Sequence, residues 1–88
     1  MAVNAYILIE TEVGESKAVA SRLSEMALSG HSEQLSEINT ITGPYDVIAK
    51  ITHDDLDGVG KLVTGEIQKI AGVQRTTTCL FLRQRGVS

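Results

Sequence analysis

TITGPYD, Thr40 to Asp46, stands between two apolar runs, and the way it is read decides the fold. Glycine tolerates positive φ and proline holds φ at about −65°, so Gly43 and Pro44 bend the chain readily. A bend here turns LSEINTI and DVIAKITH into neighbouring antiparallel strands. In DVIAKITH, Val47, Ala49 and Ile51 share one strand face and Ile48 and Lys50 the other. Turn chemistry accounts for Gly43 and Pro44, with Asp46 opening the next strand. It gives no reason to set Tyr45 beside Asp46, so the stretch is read both as a plain turn and as a candidate site.

Working outward, VNAYILIET (Val3 to Thr11) places Val3, Ala5, Ile7 and Ile9 on one strand face and Tyr6 and Leu8 on the other. A Gly14-Glu15-Ser16 break follows. Val19, Leu23 and Met26 then recur at helical spacing beside Ala20 and Ala27, which predicts an amphipathic helix from Ser16 to about Leu28, ended by Ser29-Gly30. Leu35, with Ile38 or Ile41, marks a weaker and more exposed second strand. Beyond DVIAKITH, Asp54 or Asp55 suits a helix cap. Leu56, Val59, Val63, Ile67 and Ile70 form one helical stripe, with Gly72 where a left-handed C-terminal cap belongs. VQRTTTCLFLR closes the chain as a strand, Thr76, Thr78, Leu80 and Leu82 alternating with Thr77, Cys79 and Phe81.

The order is βαββαβ, a pattern of strand, helix and strand used twice, which is the split-βαβ, ferredoxin-like α+β layout in a single domain over 1–88. Right-handed crossovers put both helices on one sheet face. The other face still carries Tyr6, Leu8 and Ile48, which water does not favour, so a second subunit is expected to cover it in a face-to-face sheet dimer.

The 88 residues are 42% hydrophobic and 3% aromatic, which describes an aliphatic core. The net charge of −3 and the scattered basic residues leave no cationic stripe for phosphates, so direct nucleic-acid binding is not expected. No apolar run approaches the roughly 20 residues a bilayer needs, and no leader pattern stands at the N-terminus, which predicts a cytoplasmic protein without membrane contact. The single cysteine, Cys79, has apolar neighbours and is read as a packed thiol.

Several chemical motifs fail on spacing. Aligning Gly58 of DDLDG with the glycine of a calcium loop puts His53 at the first ligand position and Thr64 at the closing glutamate position. GVGKL has Asp55 where a phosphate loop needs glycine and Leu62 where it needs Ser or Thr. Gly60 and Gly65, inside the helical stripe, are explained by close packing against the sheet or a neighbouring subunit. His31 and His53 have no Cys or His at ligand spacing and read as loop histidines, so no metal is expected. No Ser or Cys sits in a nucleophile signature, so no catalytic residue and no cofactor is assigned.

TGPYD, the strand DVIAKI, the EIQKIAGVQRT junction and the closing TTTCLFL together resemble the effector-binding (RAM) domain of the Lrp/AsnC transcription regulators, over Val3 to Leu82. The family's usual N-terminal helix-turn-helix has no counterpart here, so the chain resembles a stand-alone RAM protein. The resemblance implies an amino-acid effector held by Gly43, Tyr45, Asp46, Thr76 and Thr78. Gly43 would admit a carboxylate to backbone N–H groups, and Asp46 would pair with the ammonium group. Thr76 and Thr78 would offer two hydroxyls from one strand face. It also implies a homo-oligomer, either a dimer or an octamer or decamer ring of dimers, with full-length Lrp/AsnC regulators as further partners. Two features depart from the family: SGHSEQ is longer, and Pro44 stands where a polar residue is frequent. The competing readings are a small cofactor-free monooxygenase or isomerase of the dimeric α+β-barrel type, and a pure assembly module.

Overall fold

A computed structural model describes residues 3–28 and 35–81. The elements are β1 (Val3–Thr11), α1 (Ser16–Leu28), β2 (Leu35–Thr40), β3 (Val47–His53), α2 (Leu56–Gly65), a 3-10 turn (Ile67–Lys69) and β4 (Val73–Phe81). They form a four-stranded antiparallel sheet of order β2-β3-β1-β4. Each helix connects two parallel strands with a third strand between them, so the fold is the ferredoxin-like βαββαβ that the pattern predicts. Ser29-Gly30, His31 and Leu82 lie outside the described residues.

Period-two alternation sorts the sheet into two faces. Ala5, Ile7 and Ile9 of β1, Val47, Ala49 and Ile51 of β3, and Leu35 of β2 pack under Val19 and Leu23 of α1 and Val59, Val63 and Ile67 of the second helical segment. Every one of these is 5% exposed or less. Enclosing an aliphatic side chain of this size stabilises the fold by about 1.5–3 kcal/mol, so this layer supplies most of what holds the chain together. The helices leave the opposite face open. Among the described residues no helix is long and apolar enough to cross a membrane.

The second helix ends sooner than its apolar stripe. Asp55 is the N-cap, its side chain accepting from the Gly58 N–H, but the α-helix stops at Gly65 and the chain tightens into the 3-10 turn. Val63 and Ile67 stay buried through the change, so the stripe is continuous although the helix is not. Gly72 has φ +97°, and a Cβ there would lie 2.9 Å from Val19 Cγ2. It therefore ends the 3-10 turn and lets the chain pass close to α1. Gly60 and Gly65 have nothing within 4 Å of an added Cβ, so packing on their own sheet does not explain them. Within α2 the glycine under a close contact is Gly58, which lies beneath the His53 ring. His53 ends β3 with its side chain 28% exposed, and its Nδ1 accepts from the Asp55 N–H at 3.3 Å. It is thus a half-buried strand residue that packs on α2, not a loop histidine.

Candidate functional site

The turn that pivots the hairpin is also tied to the central strand. The Ile41 N–H donates to the Asp46 carbonyl at 2.9 Å and closes a four-residue loop, 42–45. The Asp46 N–H donates to the Ile9 carbonyl at 2.8 Å, and Asp46 Oδ2 accepts from the Thr11 N–H at 2.9 Å. Ladder pairing of β1 with β3 ends at Ile9 and Val47, and β1 slips register against β4 between Glu10 and Thr11. The Asp46 carboxylate therefore takes up a backbone donor just beyond the end of the ladder. Gly43 is exposed at φ +131°, with open space where a side chain would be.

Tyr45 lies over the open face, its hydroxyl 3.3 Å from Thr77 Oγ1. Thr77 is paired with Leu8 in the β1–β4 register, and the next pair on that face is Glu10 with Arg75. The Glu10 and Arg75 side chains form an ion pair, Oε2 to Nε 3.7 Å. Gly43, Tyr45 and Asp46 thus gather at one end of the open face, and the β4 residue that joins them is Thr77.

Thr76 and Thr78 project from the other face. They pair with Ile9 and Ile7, whose side chains lie in the helix-covered core, and the Thr76 hydroxyl accepts from Gln68 Nε2 at 2.9 Å. Within one subunit they do not meet Tyr45, because successive strand residues alternate sides. The sequence pattern correctly pairs the alternate threonines on one face but gives no weight to Thr77. Only the reach of Tyr45 across β1 identifies it, and that depends on strand order. Glu10 and Arg75 were missed for the same reason.

At its opposite end the open face carries an aromatic and ionic row. Tyr6 and Phe81 stack with ring centroids 4.8 Å apart, and Lys50 Nζ lies 5.8 Å from the Phe81 centroid and 3.3 Å from Glu37 Oε2. Glu37 reaches Lys50 from a bulge in β2, at φ +49°. Cys79, opposite Tyr6, is exposed, which corrects the packed-thiol reading. Its neighbours in sequence are apolar, but it belongs to an edge strand and to the face without helices. Among the described residues, no group of three or more His, Cys, Asp or Glu is placed to hold a metal.

A family model described as the Lrp/AsnC ligand binding domain matches residues 4–86. No curated protein matches by sequence. Among solved structures, TTHA0845 from Thermus thermophilus is 28% identical with a TM-score of 0.80, the match covering 97% of this chain and 99% of that one. FFRP-DM1 is 29% identical with a TM-score of 0.77, covering 91% and 99%. The transcriptional regulator NMB0573 from Neisseria meningitidis, solved as an L-Met complex, shares the fold at 13% identity and a TM-score of 0.76. This chain aligns over 98% of its own length and 53% of that regulator's.

Proposed function

This chain belongs to the Lrp/AsnC ligand-binding domain family, and from that membership we propose that it is an amino-acid-sensing regulatory module that works as an oligomer. The family is regulatory rather than catalytic. The observation that carries the reading is the match over residues 4–86, which takes in nearly the whole of the described fold. The L-Met complex of the Neisseria regulator supports an amino acid as the ligand class.

In this reading the effector sits against the turn from Gly43 to Asp46. Gly43 leaves room for a carboxylate at the backbone, Tyr45 offers a hydroxyl, and Asp46 offers charge to an ammonium group. Thr76 and Thr78 stand on the helix-covered side, so they contribute only where another subunit brings its β4 to the site. A second copy covers the open face, and dimers assemble further into a ring. Full-length family members are the partners through which a module of this kind acts on transcription. With a net charge of −3, the chain itself does not hold DNA.

Thermal denaturation in the presence of each of the twenty amino acids tests the reading. A ligand that binds only the native state stabilises it by about 2.7 kcal/mol at a hundredfold excess over Kd. For a domain of this size that raises Tm by roughly 10 °C or more. One amino acid, or a chemically related few, is expected to do so. A Tm unmoved by all twenty at millimolar concentration would overturn it.

A further inference from the structure

The end of the open face that holds Tyr45 and Asp46 also holds a second set of groups that the turn motif does not contain. Arg75 and Glu10 face each other across β4 and β1, one register pair beyond Leu8 and Thr77 on that face. Their contact is long, Nε to Oε2 3.7 Å, and within one subunit the Arg75 side chain is 73% exposed. A structural arginine pair is normally bidentate and shielded, whereas an exposed long contact of this kind adds little to stability. The guanidinium fork stays open to a planar anion. Thr77 lies two residues along the same strand face, roughly 6.6 Å away by strand rise, with the Tyr45 hydroxyl beside it. On the other side of Glu10, Asp46 is anchored to the Thr11 N–H through Oδ2.

We infer that the Glu10–Arg75 pair, with the Tyr45–Thr77 hydroxyls, reads the two charged ends of a free α-amino acid. This rests on the proposed function above for the ligand class and its place beside the turn, and it moves the carboxylate contact from the Gly43 backbone to Arg75 and the main ammonium contact from Asp46 to Glu10. The ligand carboxylate takes the Arg75 fork and the hydroxyl pair. The ammonium group takes Glu10, with Asp46 adding negative charge from the adjacent turn. The ligand thereby replaces a weak ion pair by two charge-assisted ones, each pairing a fixed group with its opposite charge. Plain amines and plain carboxylic acids satisfy only half of the arrangement and leave the other half unpaired, which is the physical basis of discrimination.

Calorimetry with three probes tests the assignment: the amino acid that raises Tm most, its α-carboxamide and its N-acetyl derivative. Wild type is expected to bind the free amino acid at least tenfold more tightly than either blocked form. Arg75→Gln should bind the free amino acid at least tenfold more weakly than wild type and no longer distinguish it from the carboxamide. Glu10→Gln should lose the distinction from the N-acetyl form instead. Arg75→Lys keeps the charge without the fork and should fall between wild type and Arg75→Gln. Circular dichroism checks that each variant folds, which the exposure of the pair favours. If wild type binds an amino acid and Arg75→Gln binds it as tightly while still rejecting the carboxamide, the assignment is wrong and the proposed function stands. If wild type binds none of the twenty, both fall together.

Discussion

Neighbouring residues of β1 live in two different environments. Ala5, Ile7 and Ile9 have no exposed surface at all, while Tyr6, Leu8 and Glu10 between them remain partly open. One face is completed by the chain's own helices, and its buried centre is aliphatic. The other is a mixture of an aromatic stack, two ion pairs and hydroxyls around Leu8 and Ile48. A solvent-facing sheet surface needs no aromatic stack, and a core does not tolerate exposed arginine. The mixture suits a surface that meets a second copy at its middle and a polar ligand at its end. In the proposed reading, stability and function divide between the two faces of one sheet, at alternate positions of the same strands.

Mutations on the two faces should separate those properties. The largest effect belongs to the covered face: Ile7→Ala removes buried atoms from the centre of the core and should lower unfolding free energy by about 2–5 kcal/mol in urea. Its neighbour Leu8 answers a different measurement. Leu8→Glu puts a charge in the middle of the open face and should weaken self-association at least a hundredfold, about 2.7 kcal/mol, in sedimentation, while circular dichroism shows a folded chain. If Leu8→Glu unfolds the protein as Ile7→Ala does, the division between faces is mistaken.

At the turn, Asp46 couples the two properties. Because its carboxylate accepts from the Thr11 N–H, Asp46→Ala should cost stability as well as ligand affinity, about 1.5–3 kcal/mol in denaturation. Asp46→Asn retains an acceptor and should keep most of that stability while losing its charge toward an ammonium group. Equal stability of the two variants would show that the Thr11 contact contributes nothing. The smallest effects separate adjacent threonines. Thr77→Val deletes the partner of Tyr45 and should cost about 0.5–1.5 kcal/mol of binding to the best amino acid, measured by calorimetry. Thr78→Val, one residue along and on the other face, should leave binding within one subunit's site unchanged.

Much of the fold was legible because it rests on local periodicity. The bounds of β1 and α1 follow from apolar spacing and the Gly14 break, and Asp55 announces α2 as a cap. Where α2 ends was not legible, since an apolar stripe through Ile67 is served as well by a 3-10 turn as by a helix. The candidate site was legible only in part. TGPYD drew attention to Gly43, Tyr45 and Asp46 because a turn needs no acid beside an aromatic. Thr77, Glu10 and Arg75 carry no local signal. They become neighbours of the turn only through the β2-β3-β1-β4 order and the register of β1 with β4. Cys79 misled for a related reason: apolar neighbours in sequence do not bury a residue on an uncovered face of an edge strand.

The division between faces stands on a second copy of the chain completing the open one. Sedimentation equilibrium of the wild-type protein at micromolar concentration tests this directly. The expected result is the mass of a dimer or of a larger assembly of dimers, falling to that of a folded monomer for Leu8→Glu. A wild-type protein that sediments as a stable monomer across that range would contradict it.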